Sequence, residues 1–230
     1  SEGVRRDLIG GFHISPGKIR VIGNPLDLDM VQERANEPTP FNHLFIEGET
    51  IFVHIGRLSL EKNHRLLIQA SARLRTQYEN FKVLVAGTGD QEAIIRRWIE
   101  EANLTDKILL LGLVDNPYAL MAGARALLLT SNYDSSPMVL KEAMASGTAV
   151  ISVDCPGGPS EILRHGHFGI LTPENDPNAL AQAMFDIAHD DLLYHSLIEK
   201  GRIRSTDYDM KRIIKMWNDL LNKYRKCCDG

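Results

Sequence analysis

The chain has 230 residues and a mass of 25.7 kDa, with 43% hydrophobic and 24% charged residues, as an ordinary soluble globular protein has. Its 26 basic and 30 acidic residues give a net charge of −4 with no basic block, which argues against nucleic acid as a partner. No apolar run reaches the roughly 18 residues that cross a bilayer, and three cysteines, Cys155 and the adjacent Cys227 and Cys228, make no disulfide framework. A reducing cytoplasm is the expected compartment, and a lone Cys-Cys near the terminus is read as no metal site.

Residues 1 to 12 read as a short helix ended by Gly10 and Gly11, and Pro16-Gly17 as a turn. Residues 18 to 22 read as a short strand running into Asn24-Pro25-Leu26-Asp27, a turn. Residues 33 to 50 read as a surface loop. The first strong strand is 51 to 55, followed by the loop Gly56-Arg57-Leu58-Ser59-Leu60-Glu61-Lys62-Asn63 and a helix from about 63 to 78. Strand 82 to 86 ends in Gly87-Thr88-Gly89-Asp90, with Asp90 as the expected cap of a helix running to Ala102. Strand 108 to 111, the loop 112 to 117 and a short helix ending near Gly123 come next.

The most informative stretch lies between two continuous apolar strands, 124 to 130 and 148 to 153. It begins Tyr133-Asp134-Ser135-Ser136-Pro137-Met138, continues as a helix holding Glu142, and stops at Gly147. Pro137 is expected at the first helical position and Gly147 at the left-handed exit. The backbone N–H groups of residues 136 to 139 should then face an anion at the end of a strand. After residue 153 come the loop 154 to 159, a short helix 160 to 165, a last strand 169 to 172, and helices over 176 to 188, 191 to 201 and 208 to 226.

Continuous apolar strands alternating with helices predict a Rossmann-like, three-layer α/β/α domain with a parallel sheet. Every loop singled out (56–63, 87–90, 112–117, 131–137 and 154–159) falls at the C-terminal end of a strand, where such sheets bind ligands. Gly87-Thr88-Gly89 is not a G-x-G-x-x-G, and no acidic residue ends the following strand, so a dinucleotide fingerprint is poorly supported. Gly157-Gly158 reads as a tight turn. The eight histidines, His54 and His64 among them, show no metal spacing and read as structural or surface residues. From spacing alone, Arg57 and Lys62 are surface cations. Glu142 stands on an otherwise apolar helix and needs a polar partner.

Asp134, seven intervening residues, Glu142 and then Ala143-Met144-Ala145-x-Gly147 resemble the signature of the family 4 glycosyltransferases, retaining enzymes of the two-lobed GT-B fold. The resemblance extends over nearly the whole chain and implies the C-terminal, donor-binding lobe, residues 1–230. Residues 1–27 would be the linker and first-strand region, with Asn24-Pro25-Leu26-Asp27 a hinge, and 208–226 the helix that crosses back to the other lobe. The acceptor-binding N-terminal lobe is expected to be absent, leaving a fragment that binds donor but transfers sugar poorly.

By the same resemblance, Arg57 and Lys62 bind the donor diphosphate and Asp134 contacts the transferred sugar, one methylene short of the family's usual Glu. Glu142 receives the ribose hydroxyls, and the loop of Leu113 and Val114 contacts the nucleobase through its backbone. Gly56, Ser135, Ser136, Pro137 and Met138 complete the donor site. No cofactor or metal is implied. The implied donor is a UDP-sugar, with GDP-mannose the competitor. The acceptor is a glycan or a polyprenyl- or other lipid-linked molecule, in cell-surface polysaccharide or lipopolysaccharide synthesis. The implied location is the cytoplasm, with peripheral association at the inner face of the membrane. A UDP-sugar epimerase lobe and a noncatalytic nucleotide- or sugar-binding module are the alternatives.

Overall fold

In the computed structural model, which describes residues 1–228, six strands form one parallel sheet. For residues 224 and 226–228 only the backbone is described, so the expectations for Tyr224, Cys227 and Cys228 lie outside the described residues. The strands are β1 (Thr50–Ile55), β2 (Phe81–Ala86), β3 (Ile108–Gly112), β4 (Ala126–Leu129), β5 (Ala149–Val153) and β6 (Ile170–Thr172). Their order across the sheet is β3-β2-β1-β4-β5-β6, so the winding reverses between β1 and β4. In open parallel sheets this reversal leaves a crevice beyond the carboxyl ends of the two strands.

The helices are α1 (Glu2–Gly10), α2 (Leu28–Ala35), α3 (His64–Arg75), α4 (Glu92–Glu101), α5 (Pro117–Gly123), α6 (Met138–Ala145), α7 (Pro159–Ile162), α8 (Pro177–His189), α9 (Asp191–Ser205) and α10 (Met210–Cys228). Successive strand residues bury on opposite faces. Phe52 packs with α3, α4, α8 and α9, whereas Ile51 and Val53 pack with α2, α5 and α6. Both faces are therefore covered, as continuous apolar strands require.

Five local expectations are corrected. Residues 19 to 25 form no strand; the nearest pairing is the isolated bridge between Leu26 and Asp209. Leu26 N–H donates to the Tyr208 carbonyl at 2.8 Å and Met210 N–H to the Leu26 carbonyl at 2.9 Å, tying the linker to the start of α10. Within the supposed turn and loop, Asp27 caps α2 by accepting from Met30 N–H at 3.0 Å, and Val31 anchors that helix in the core. Asp90 caps nothing: α4 starts two residues later because Gln91 N–H donates to the Leu58 carbonyl at 3.0 Å. Gly201 does not end α9; it makes room for Met144, whose Cγ would lie 3.1 Å from a Cβ there. Pro137 immediately precedes α6 rather than opening it.

Candidate active site

The loops singled out in the sequence do meet at the carboxyl edge of the sheet. The loop after β1 is held over the end of β4. Asn63, left-handed at φ 48°, caps α3 and donates from Nδ2 to Asn132 Oδ1 at 2.8 Å. Asn132 N–H donates to the Glu61 carbonyl at 2.8 Å, and Thr130 Oγ1 donates to the Lys62 carbonyl at 2.8 Å. So braced, Lys62 reaches across the reversal point and its Nζ contacts Asp134 Oδ2 at 2.9 Å. Both side chains are about four-fifths buried, which sets this pair apart from the exposed ion pairs of the surface helices.

Asp134 is thus committed to Lys62 and, through Oδ1, to the N–H of Ser136 at 3.3 Å. Its backbone is clipped to the loop after β5, Gly158 N–H donating to the Asp134 carbonyl at 2.7 Å. Gly157 is the position that permits this, since at φ 122° a Cβ there would lie 2.4 Å from the Asp134 carbonyl oxygen. The expected tight turn is in fact a close approach of two backbones.

The expected amide cluster is also narrower than 136 to 139. Ser136 N–H is occupied by Asp134 and Pro137 has none, which leaves Met138 and Val139 as open donors at the start of α6.

On the other side of Lys62, a cleft of about 310 Å³ brings together Gly56, Arg57, Leu113 and Val114. Its back wall is tight: Gly87, at φ 141°, would place a Cβ 1.9 Å from the Gly56 carbonyl oxygen. Leu113 stands 82% exposed at the mouth, an apolar surface open to a flat ligand. Arg57 is exposed and makes no ion pair among the described residues. The Lys62 stem runs along Gly56, with Cε 3.6 Å from where a Cβ would be, so cleft and ion pair share a wall.

Glu142 is half-buried one turn into α6, and burial pushes its pKa up, Lys141 opposing. Burial, together with the Glu142 charge, also raises the phenol of Tyr118, beside Pro117 at the cleft. Ser135 and Ser136 do not line this cleft; they face a separate cavity of about 290 Å³ with Lys141, Arg204 and Tyr208.

Of three buried groups around the site, the sequence read His54 and His64 only as structural or surface residues and passed over Lys141. His54 and His64 are buried with ring centroids 4.6 Å apart, and Lys141 is 1% exposed. Burial holds His54 well below its ordinary pKa and takes His64 down to about 4. The clue for Lys141 was available: a cation between Leu140 and Ala143 on an apolar helix. The same kind of clue marked His54, a polar residue inside the apolar strand 51–55. Among the described residues, no three His, Cys, Asp or Glu side chains are grouped to hold a metal ion, and no helix is long and apolar enough to cross a membrane.

The model of the glycosyl transferases group 1 matches residues 36–204, nearly three-quarters of the chain and all of this site except its N-terminal approach. The chain belongs to this family. Among its relatives, an N-acetylgalactosaminyltransferase of Campylobacter jejuni is 32% identical over 215 residues, covering 94% of this chain and 56% of its own. That relative is described as acting on N-acetylgalactosamine-N,N'-diacetylbacillosaminyl-diphospho-undecaprenol. The N-acetyl-alpha-D-glucosaminyl L-malate synthase of Bacillus anthracis is 29% identical, with 86% and 52% covered. The chain spans about half the length of these relatives. Among solved structures, Anabaena HepE in complex with UDP superposes with a TM-score of 0.87 over 97% of this chain and 62% of its own, at 21% identity. A Rossmann-like lobe of the GT-B kind is therefore the fold of this group 1 chain.

Proposed function

We propose that this chain is the donor-binding lobe of a retaining glycosyltransferase. It would deliver a hexose or N-acetylhexosamine from a nucleoside-diphosphate sugar to a glycan or lipid-linked acceptor during cell-surface polysaccharide synthesis. The observation that carries this reading is the Lys62–Asp134 pair at the reversal point of the sheet, flanked by open amides on one side and an apolar-mouthed cleft on the other.

The difficult event in sugar transfer is departure of a diphosphate from the anomeric carbon, with negative charge growing on the leaving oxygens. Cations and helix-end amides fixed in advance stabilise that charge without reorganising. Lys62 is fixed by Asp134 and the Thr130 contact; Arg57 is free to close on the second phosphate as a planar fork. Asp134, already engaged twice, is assigned first to aligning Lys62 and the 134–137 loop, and its reach to the sugar is secondary. Glu142 would accept from ribose hydroxyls, its raised pKa falling back when those donors arrive.

UDP is the favoured nucleotide, in keeping with the UDP-bound HepE structure and with a UDP-containing complex of TarM from S. aureus, which superposes with a TM-score of 0.82. GDP-mannose remains the competing donor. The acceptor would be held mainly by a second lobe, so this chain alone should bind donor and transfer little. Calorimetric titration with UDP, GDP and NAD, without added metal, tests the reading. Binding of UDP or GDP that weakens in Glu142→Ala supports it. Binding of NAD alone would overturn it, and brisk sugar transfer by the isolated chain would refute the expectation that a second lobe is needed.

A further inference from the structure

Among the described residues, Lys141 is the one basic or acidic side chain in the set of largest fully buried groups, on a helix whose other inward residues are apolar. Its ammonium donates to Ser136 Oγ at 3.0 Å, lies 3.8 Å from Met138 Sδ and sits 4.5 Å above the centre of the Tyr208 ring. No ion pair among the described residues includes it. Neighbouring Arg204 and Arg212 both take Asp207, each at 2.6 Å, and Lys62 takes Asp134. Glu161, Glu142 and Asp134 act on Lys141 only from beyond contact distance, and burial lowers its pKa.

A buried cation without a contacting counter-charge costs several kcal/mol, and an apolar side chain of the same volume usually replaces it at no loss of stability. Fold stability is thus a poor reason for a lysine at this position. The hydrogen-bond chemistry points elsewhere. An ammonium has donors only, so it must occupy a lone pair of Ser136 Oγ, and the single hydroxyl proton of Ser136 is left to point away from Lys141. Ser136 is half-buried and stands two residues before the open amide of Met138. A hydroxyl accepting from a cation is a stronger donor in its turn.

We propose that Lys141 is a positioning residue for the diphosphate: it fixes Ser136 as a hydrogen-bond donor toward an anion seated at the start of α6. The anion is the counter-charge that the ammonium lacks in the free protein. This rests on the donor-lobe reading and adds to it a buried third cation, behind Arg57 and Lys62, acting through a serine.

The test uses Lys141→Met, Ser136→Ala and the double variant, comparing thermal unfolding of the free proteins with titrations of UDP, uridine and inorganic pyrophosphate. The expected result for Lys141→Met is an unchanged or raised Tm together with about tenfold weaker UDP and pyrophosphate binding. Uridine binding should not change. Ser136→Ala, which also takes the acceptor from the buried ammonium and so lowers Tm, should show the same anion-selective loss, and the double variant no more than either. A lysine that only supports the fold would instead lower Tm and weaken UDP and uridine alike, which overturns the proposal. So would UDP binding that survives in Lys141→Met, or losses that add in the double variant. Wild-type protein that binds pyrophosphate but no nucleotide would sink the donor reading while leaving the Lys141 relay standing; binding of neither would end both.

Discussion

The two sides of the β1/β4 reversal are built by different means. On the β1–β3 side, the cleft is shaped by backbone: Gly87 against the Gly56 carbonyl, Leu113 at the mouth, and Arg57 loose above it. On the β4–β6 side, charge dominates, with Asp134 and Lys62 clasped, Lys141 buried behind Ser136, and Arg204 with Asp207 below. The first side recognises by shape and tolerates no added atom. The second works by charge.

The sharpest way to break this contrast is Gly87→Ala. The new methyl would overlap a carbonyl oxygen at a φ of 141°, so a loss of at least about 3 kcal/mol and a fall in Tm of many degrees are expected. Thermal unfolding checks this; a variant as stable as the parent would mean that the cleft wall yields. Next come the cations, one from each side. Arg57→Ala with Lys62→Ala should cut UDP affinity about a hundredfold, near 3 kcal/mol. Circular dichroism should remain native, while Tm falls where Lys62 is removed, because Asp134 then loses its largely buried partner. Unchanged affinity would remove both residues from the site.

A pH titration probes what lies beneath the β1 loop. Folded His64 titrates near 4 and an unfolded histidine near 6.5, so between those values the unfolded chain holds more protons. Stability therefore rises with pH across this window and is lost as pH falls through it, by about 2–3 kcal/mol for His64 at about 1.4 kcal/mol per unit. His54, shifted the same way, adds to the slope. His64→Gln should flatten the dependence of Tm on pH between 6.5 and 4; an unaltered slope would show that the imidazole is not held neutral. The smallest effect expected is from Glu142→Ala, about tenfold in UDP affinity, and the variant should no longer distinguish UDP from 2′-deoxy-UDP.

The same division decides what could be read from the residues alone. The strands were plain because both faces of the sheet are covered and their apolar runs are unbroken, whereas Arg57 and Lys62 were surface cations by spacing alone and were joined to Asp134 in one site only through the family resemblance. Residues 18 to 22 alternate like a strand, but a strand needs a partner edge, and here the chain instead runs to the start of α10. The helix at Leu28–Ala35 escaped notice because it buries one residue, Val31, and reads as polar surface otherwise. Gly87 and Gly157 looked like ordinary turns; only the opposing carbonyls show why no side chain fits. Lys141 was hidden by its neighbour Glu142, and its role depends on a serine and a tyrosine, Ser136 and Tyr208, brought to it by folding.

The most direct measurement is a crystal structure of this chain with UDP. The diphosphate should lie about 3 Å from Lys62 Nζ and the amides of Met138 and Val139, with the base against Leu113 and Val114. A nucleotide lodged instead in the cavity of Lys141, Arg204 and Tyr208, with the crevice above β1 and β4 empty, would contradict the assignment of the donor site.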